Sequence, residues 1–175
     1  MENVLATSLL ILIASHALGA ESAVQTKSKP LPKGWYVGGG LSYNDLDLDS
    51  VVKDANNEAA LGLQGFTGLP ISNSLNGFET FAEIGLFRTS NFDFGQGKKN
   101  KAVGIWGSLV LQKELNEIAP HLYGLSRIGI ELGDDDGIFM GIGVGYRLTP
   151  KVEVRTEFVN KDLISSYQAN ALLRF

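Results

Sequence analysis

Residues 138–175 alternate between apolar side chains and small or polar ones with a period of two. In residues 138–148 the even positions are large and apolar, and the odd positions hold Phe, Gly or Arg. Residues 152–158 and 167–175 repeat the pattern, with polar or charged side chains at most alternate positions. Because successive strand residues point to opposite faces of a sheet, three strands are predicted, the first two joined by a turn at residues 148–151.

The fold class depends on whether the apolar or the polar face of the sheet points outward. Charges at alternate positions of consecutive strands, opposite apolar faces about ten residues long, favour a barrel with lipid outside and polar groups inside. The alternatives are a soluble sandwich or a lipocalin-like barrel, in which the polar face would meet water. The sequence therefore predicts an all-β fold, an eight-stranded antiparallel up-and-down transmembrane β-barrel.

Five further segments complete the count of eight strands. They span residues 34–44, 58–69, 77–89, 101–113 and 121–132, and the second has the least regular alternation. Long connections (45–57 and 90–100) are predicted outside the cell and short ones (148–151) on the other side, as in bacterial barrels. An open edge cannot face lipid, so the last strand is expected to close on the first.

Composition and the N-terminal sequence predict one exported domain. The chain has 175 residues, no Cys and a net charge of −4, which argues against a nucleic-acid partner. Residues 4–14 form an apolar run that is too short to span a membrane as a helix, although no Lys or Arg precedes it. We predict a signal peptide at 1–20, a flexible periplasmic segment at 21–33 and the barrel at 34–175.

Charged side chains on the inner face are predicted to fill the barrel. Eight strands leave just enough room for side chains, so no aqueous pore is expected. Five Glu and four Arg would neutralise one another, since buried charges persist only when paired. A proton path or a gated channel would require an inner charge without a partner. This predicted interior charge network comprises Glu79, Glu83, Arg127, Glu131, Arg147, Glu153, Arg155, Glu157 and Arg174.

Catalytic, cofactor-binding and metal-binding residues are not predicted, and the chain is not expected to be an enzyme. The acidic residues 45–49 resemble the start of a calcium loop but lack its later Gly and Glu, which favours a solvated loop. His121 follows Pro120 and has no His-x-Ser neighbour, which favours a turn histidine over a catalytic base. Phe92 and Phe94 beside Lys98 and Lys99 indicate either an interfacial belt or a contact with lipopolysaccharide phosphates or a host molecule.

Three segments carry a resemblance to a known family. Residues 35–43 (WYVGGGLSY), 141–148 (GIGVGYRL) and 172–175 (LLRF) resemble the small outer-membrane β-barrels, which include OmpA-like transmembrane domains, OmpX and opacity-type surface antigens. The resemblance spans residues 34–175. It implies location in the outer membrane of a Gram-negative bacterium, and it implies that Phe175 is an assembly signal read by the barrel-insertion machinery.

The expected function follows from the barrel and its loops. The chain is expected to act through its external loops in surface structure, adhesion or envelope integrity. The alternatives are a narrow, porin-like channel and a lipid A-modifying barrel enzyme. Expected partners are outer-membrane lipids and lipopolysaccharide, the insertion machinery, and a host or surface ligand bound by the loops.

Overall fold

The structure, a computed structural model, describes residues 31–46, 58–71, 77–93, 99–134, 136–161 and 164–175. They belong to one compact unit, Leu31–Phe175. The predicted signal peptide, most of the predicted periplasmic segment and most of the first predicted loop lie outside the described residues. In the described ranges, no helix has the length and apolar character that crossing a membrane requires.

Eight antiparallel strands form a closed barrel, which confirms the predicted fold class. Its strand order is β1-β10-β9-β8-β7-β6-β3-β2, so the first strand pairs with the last. The two remaining strands, β4 and β5, pair with each other. The strands are β1 (Tyr36–Leu46), β2 (Glu58–Ile71), β3 (Glu79–Thr89), β4 (Phe92–Asp93), β5 (Lys99–Asn100), β6 (Val103–Glu114), β7 (Leu122–Gly133), β8 (Gly137–Arg147), β9 (Val152–Asn160) and β10 (Ile164–Arg174).

The pairing register fixes the tilt of the strands. Leu61 of β2 pairs with Tyr43 of β1, and following the register once around the barrel returns to β2 at Ile71. This ten-residue offset, with about 3.3 Å per residue and about 4.8 Å between strands, tilts the strands by about 40°. Each residue therefore advances about 2.5 Å along the barrel axis.

Apolar side chains cover the outside of the barrel, as the alternation predicts. On β7 the outward-facing positions run from Leu122 to Leu132 and include Ile128 and Ile130, a height of about 25 Å, which matches the apolar band of transmembrane barrels. Aromatic side chains lie near both edges of this band, as they do at membrane interfaces. At the end where β1 begins and β10 ends, called here the termini end, these are Trp35, Phe78, Tyr146 and Phe175. Toward the opposite end, called here the loop end, they are Tyr43, Phe158 and Tyr167.

Several predicted boundaries were wrong by a few residues. Pro70, one residue beyond the predicted second strand (58–69), lies in β2 opposite Phe81. Because it is one residue from the strand end, its missing backbone donor disturbs little of the ladder. The predicted loop at 90–100 contains the β4–β5 pair. β9 continues to Asn160, and β10 begins at Ile164 rather than at Tyr167.

Inward-facing glycines make room for rings from neighbouring strands. A Cβ at Gly145 would lie 2.2 Å from the ring of Tyr123, and a Cβ at Gly85 would lie 2.4 Å from the ring of Trp106. Real Cβ atoms do not approach neighbours this closely, so a larger residue would force these rings to move. These inward-facing glycines therefore allow aromatic side chains to lie against the inner wall of the barrel.

Closure between β1 and β10 can be tested by cross-linking, because the chain has no native Cys. Leu41 pairs with Ala169 in the register. We expect Leu41→Cys with Ala169→Cys to form a disulfide on mild oxidation, since paired Cα atoms lie within the 4.4–6.8 Å range that disulfides require. The control pair Leu41→Cys with Leu173→Cys, about 13 Å off register, should not react. Equal cross-linking of both pairs on non-reducing gels would contradict the register.

Candidate functional site in the barrel interior

The structure places all nine residues of the predicted charge network on the inner face of the barrel. Six of them are buried, Arg147 and Arg174 are partly buried, and Glu79 is exposed at the termini end. The six buried residues are Glu83, Arg127, Glu131, Glu153, Arg155 and Glu157.

Four of these residues form a closed ring of ion pairs, called here the central quartet: Glu83, Arg127, Arg155 and Glu157. Arg127 lies 2.9 Å from Glu83 and 3.1 Å from Glu157. Arg155 lies 2.8 Å from Glu83 and 2.7 Å from Glu157. Each Arg thus contacts both Glu, and all four side chains are at most 2% exposed. The quartet joins β3, β7 and β9 across the barrel.

Polar groups and aromatic rings surround the quartet. Tyr36 donates its hydroxyl to Glu83 Oε1 at 2.5 Å, and Asn170 Nδ2 donates to Glu157 at 3.2 Å. The Arg127 guanidinium lies 4.4 Å from the centre of the Trp106 ring, and that of Arg155 lies 4.9 Å from the centre of the Phe66 ring. A desolvated guanidinium over a ring is stabilised by about 2 kcal/mol. The centre of the barrel is therefore filled and electrically balanced.

A second group of charges lies at the termini end and is called here the mouth cluster: Glu79, Glu114, Arg147, Glu153 and Arg174. Arg147 pairs with Glu79 at 3.0 Å and Glu153 at 3.4 Å, and also with Glu114. Arg174 Nε donates to Glu153 at 2.6 Å. The Tyr123 hydroxyl donates to the same carboxylate at 2.9 Å. The mouth cluster crosses the opening and links β3, β6, β8, β9 and β10.

Glu131 and Lys161 form an ion pair toward the loop end. The Lys161 ammonium also lies 4.0 Å from the centre of the Phe87 ring. Beside them is a small cavity whose wall includes the polar side chains of Ser42, Asn44 and Gln64. Its volume is about 10 Å³, which is room for about one water molecule.

Gln112 is a neutral polar side chain that the ion pairs do not include. It points inward from β6 and is 1% exposed, yet neither atom of its amide has a hydrogen-bond partner among the described residues. An unpaired buried amide costs about 1–3 kcal/mol. It is the one site in the described interior where both polar atoms of a neutral side chain are unpaired.

Four residues of the interior network were missed by the sequence prediction: Glu114, Lys161, Tyr36 and Tyr123. Glu114 lies one residue beyond the predicted strand at 101–113, and Lys161 lies beyond the predicted end of its strand. Continuing the alternation Glu157, Val159, Lys161 would have identified the lysine. The two tyrosines were recognisable as inward by alternation, but their carboxylate partners depend on the barrel register.

Solved structures with the same architecture were found by comparison. A designed transmembrane β-barrel has 15% identity and a TM-score of 0.54; the match covers 82% of this chain and 97% of the design. Neisserial surface protein A also has 15% identity and a TM-score of 0.54, with 81% of this chain and 97% of that chain covered. Neither a protein-family model nor a curated protein sequence matches the chain.

The chain has the fold of the small outer-membrane β-barrels. Its apolar exterior is the lipid-facing surface of such a barrel, because an exposed band of this height would be insoluble in water. With this fold and this surface, the chain is located in the bacterial outer membrane, as predicted.

Two further residues singled out in the sequence, Phe175 and His121, lie at the termini end of the barrel, whereas Phe94 and Lys98 lie outside the described residues. Phe175 is exposed and stacks on Trp35, with ring centres 4.4 Å apart, and its role in assembly stays a prediction. His121 has a φ of +67° in the turn before β7, and its ring meets Tyr146 edge-on. Among the described residues, no group of three potential ligands could hold a metal ion.

Replacing Glu83 should destabilise this barrel strongly. Glu83→Gln removes the carboxylate shared by Arg127 and Arg155 and leaves uncompensated positive charge in a closed interior. We expect a loss of about 3–5 kcal/mol in the free energy of unfolding. The measurement is urea denaturation of the barrel in lipid vesicles, followed by tryptophan fluorescence.

Glu79→Gln is the matched control, four residues away on the same face of the same strand. The side chain of Glu79 is 55% exposed, so its loss should cost less than about 1 kcal/mol. Equal destabilisation by the two substitutions would show that the quartet is no more important than a surface ion pair.

Proposed function

We propose that this chain is a sealed outer-membrane barrel that acts through its external loops in surface structure, adhesion or envelope integrity. We further propose that it is neither a pore nor an enzyme. The observation that carries this proposal is the central quartet, in which four buried charges neutralise one another across the barrel. A filled interior leaves the loops and the outer wall as the surfaces available for interaction.

Connection lengths support an orientation with the loop end outside the cell. The two longest connections, 47–57 and 90–102, begin and end at the loop end, whereas the connections at the termini end, 72–78, 115–121 and 148–151, have at most seven residues. Bacterial barrels have short periplasmic turns and longer extracellular loops. The start of β1, the end of β10 and the mouth cluster therefore face the periplasm in this proposal.

The β4–β5 pair adds to the surface beyond the barrel. It lies within the connection between β3 and β6, at the loop end. The pairing of β4 with β5 holds the ends of this loop in a fixed geometry. Binding residues are often found on loops that a rigid scaffold supports in this way. The name of Neisserial surface protein A, which shares the fold, is consistent with a surface role.

A conductance measurement separates the sealed barrel from the channel alternative. In planar lipid bilayers, the folded wild-type protein should give no reproducible current steps, because the quartet blocks the interior and the loop-end cavity holds about one water. Folding is verified by the heat-dependent shift of gel mobility. Stepwise currents that persist in a homogeneous folded sample, and that change size in Arg155→Met, would establish a channel instead.

Epitope insertion tests the orientation and the surface exposure of the loops. A short epitope inserted within residues 47–57 should bind antibody on intact cells, because this connection is at the loop end. The same epitope inserted between Thr149 and Pro150 should bind only after the outer membrane is permeabilised. Labelling of intact cells through the second insertion would reverse the proposed orientation.

A further inference from the structure

An apolar groove lies on the lipid-facing wall at β3, β6 and β7. Its volume is about 750 Å³. Gly107 forms part of its floor, and the walls include Ile84, Ile105, Leu109 and Ile130. Gly107 pairs with Ile84 on one side and with Ile130 on the other. The groove is therefore a depression in the wall rather than a gap between strands.

Packing does not require a glycine at position 107. A Cβ built there would meet only the carbonyl oxygen of Glu83, at 3.8 Å, which is ordinary van der Waals contact. The inward Gly85 differs, because a Cβ there would collide with the Trp106 ring at 2.4 Å. The missing side chain at Gly107 thus creates outward space for an apolar group instead of relieving a clash.

A cationic side chain lies on the same wall, closer to the loop end. Arg88 is exposed on the outer face of β3, four residues from Ile84 and so about 13 Å further along the strand. Its register partner on β6 is Val103, and Lys101, also exposed, is two residues before Val103. Within the described ranges, Arg88 has no carboxylate partner.

The acidic side chain of Asp134, which follows β7, has a different role. Asp134 Oδ2 accepts a hydrogen bond from the backbone nitrogen of Val103 at 2.8 Å. It lies on the β7 side of Val103, away from Arg88. Arg88 and Lys101 therefore form a cationic edge on the loop-end side of the apolar groove.

We propose that Arg88, Lys101 and the groove at Gly107 bind one molecule of lipid A, the phosphorylated acyl lipid of lipopolysaccharide. This proposal rests on the proposed outward orientation of the loop end. A lipid A phosphate would be bound by Arg88, whose planar guanidinium forms paired hydrogen bonds with phosphate, and by the Lys101 charge. One acyl chain would lie along the groove and over Gly107. The site complements both the anionic head and the apolar tail of this lipid.

Lipid retention measured by native mass spectrometry tests the site. The folded barrel is released from nanodiscs of phosphatidylcholine that contain purified lipid A, and the bound fraction is counted. Wild type should retain one lipid A. Arg88→Gln should reduce retention about tenfold, as expected for the loss of a hydrogen bond between charged groups. Gly107→Leu fills the groove without a backbone clash and should also reduce retention about tenfold.

Two matched control variants distinguish binding of lipid A at this site from nonspecific attraction of lipid A to the barrel. Lys113→Gln removes an exposed cation near Phe78 at the other edge of the wall, and Ala171→Leu enlarges an exposed small residue on β10. Both should retain lipid A within twofold of wild type. Phosphatidylglycerol in place of lipid A should be retained more weakly, because it has one phosphate and two acyl chains.

Three results would overturn the proposal. They are unchanged retention in Arg88→Gln or Gly107→Leu, equal losses in the control variants, and equal retention of phosphatidylglycerol. None of these results would affect the sealed-barrel proposal, which is tested by conductance. A conducting barrel could likewise still retain lipid A on its outer wall. The two proposals therefore fail independently.

Discussion

Charged groups inside a protein are stable only when an opposite charge lies within hydrogen-bond distance. The central quartet meets this requirement with two Arg and two Glu, each in contact with both residues of opposite charge. The cation–ring contacts at Trp106 and Phe66 add further stabilisation without adding charge. A buried apolar core would stabilise a barrel equally well, so we interpret the quartet as specifying the register rather than simply adding stability.

The geometry of the wall brings these charges together. Glu83 is 44 residues from Arg127 and 72 from Arg155 along the chain, and only the closed sheet makes them neighbours. A slip of one residue in any strand would move its inner charges into lipid and its apolar residues into the interior. The inner charges and the outer apolar band therefore select the same register. On the inner face, glycines provide the space that the aromatic rings and the guanidinium groups occupy.

The sequence predicts most of the fold because the period of two is a local property. It was sufficient to identify eight strands and the direction of each face, including the less regular β2. Strand ends were less predictable, since they depend on pairing with neighbours, and this is why Lys161 was missed. The ion-pair partners were not predictable at all: whether Arg127 meets Glu83 or Glu79 depends on the ten-residue shear, which no local pattern encodes. Gly107 was likewise identified only when its surroundings were known.

The central claim is that apolar residues of this barrel face lipid while its charges face a sealed interior. Spin labels at Met140, Ile142, Val144, Val154 and Thr156, introduced singly as Cys in a chain without native Cys, test the claim in lipid vesicles by collision with relaxation agents. Every label should be accessible to apolar oxygen and protected from a water-soluble nickel chelate, with oxygen access greatest near the middle of the band. Labels that collide freely with the nickel chelate would show that this face meets water, and the account of a membrane-spanning barrel would be wrong.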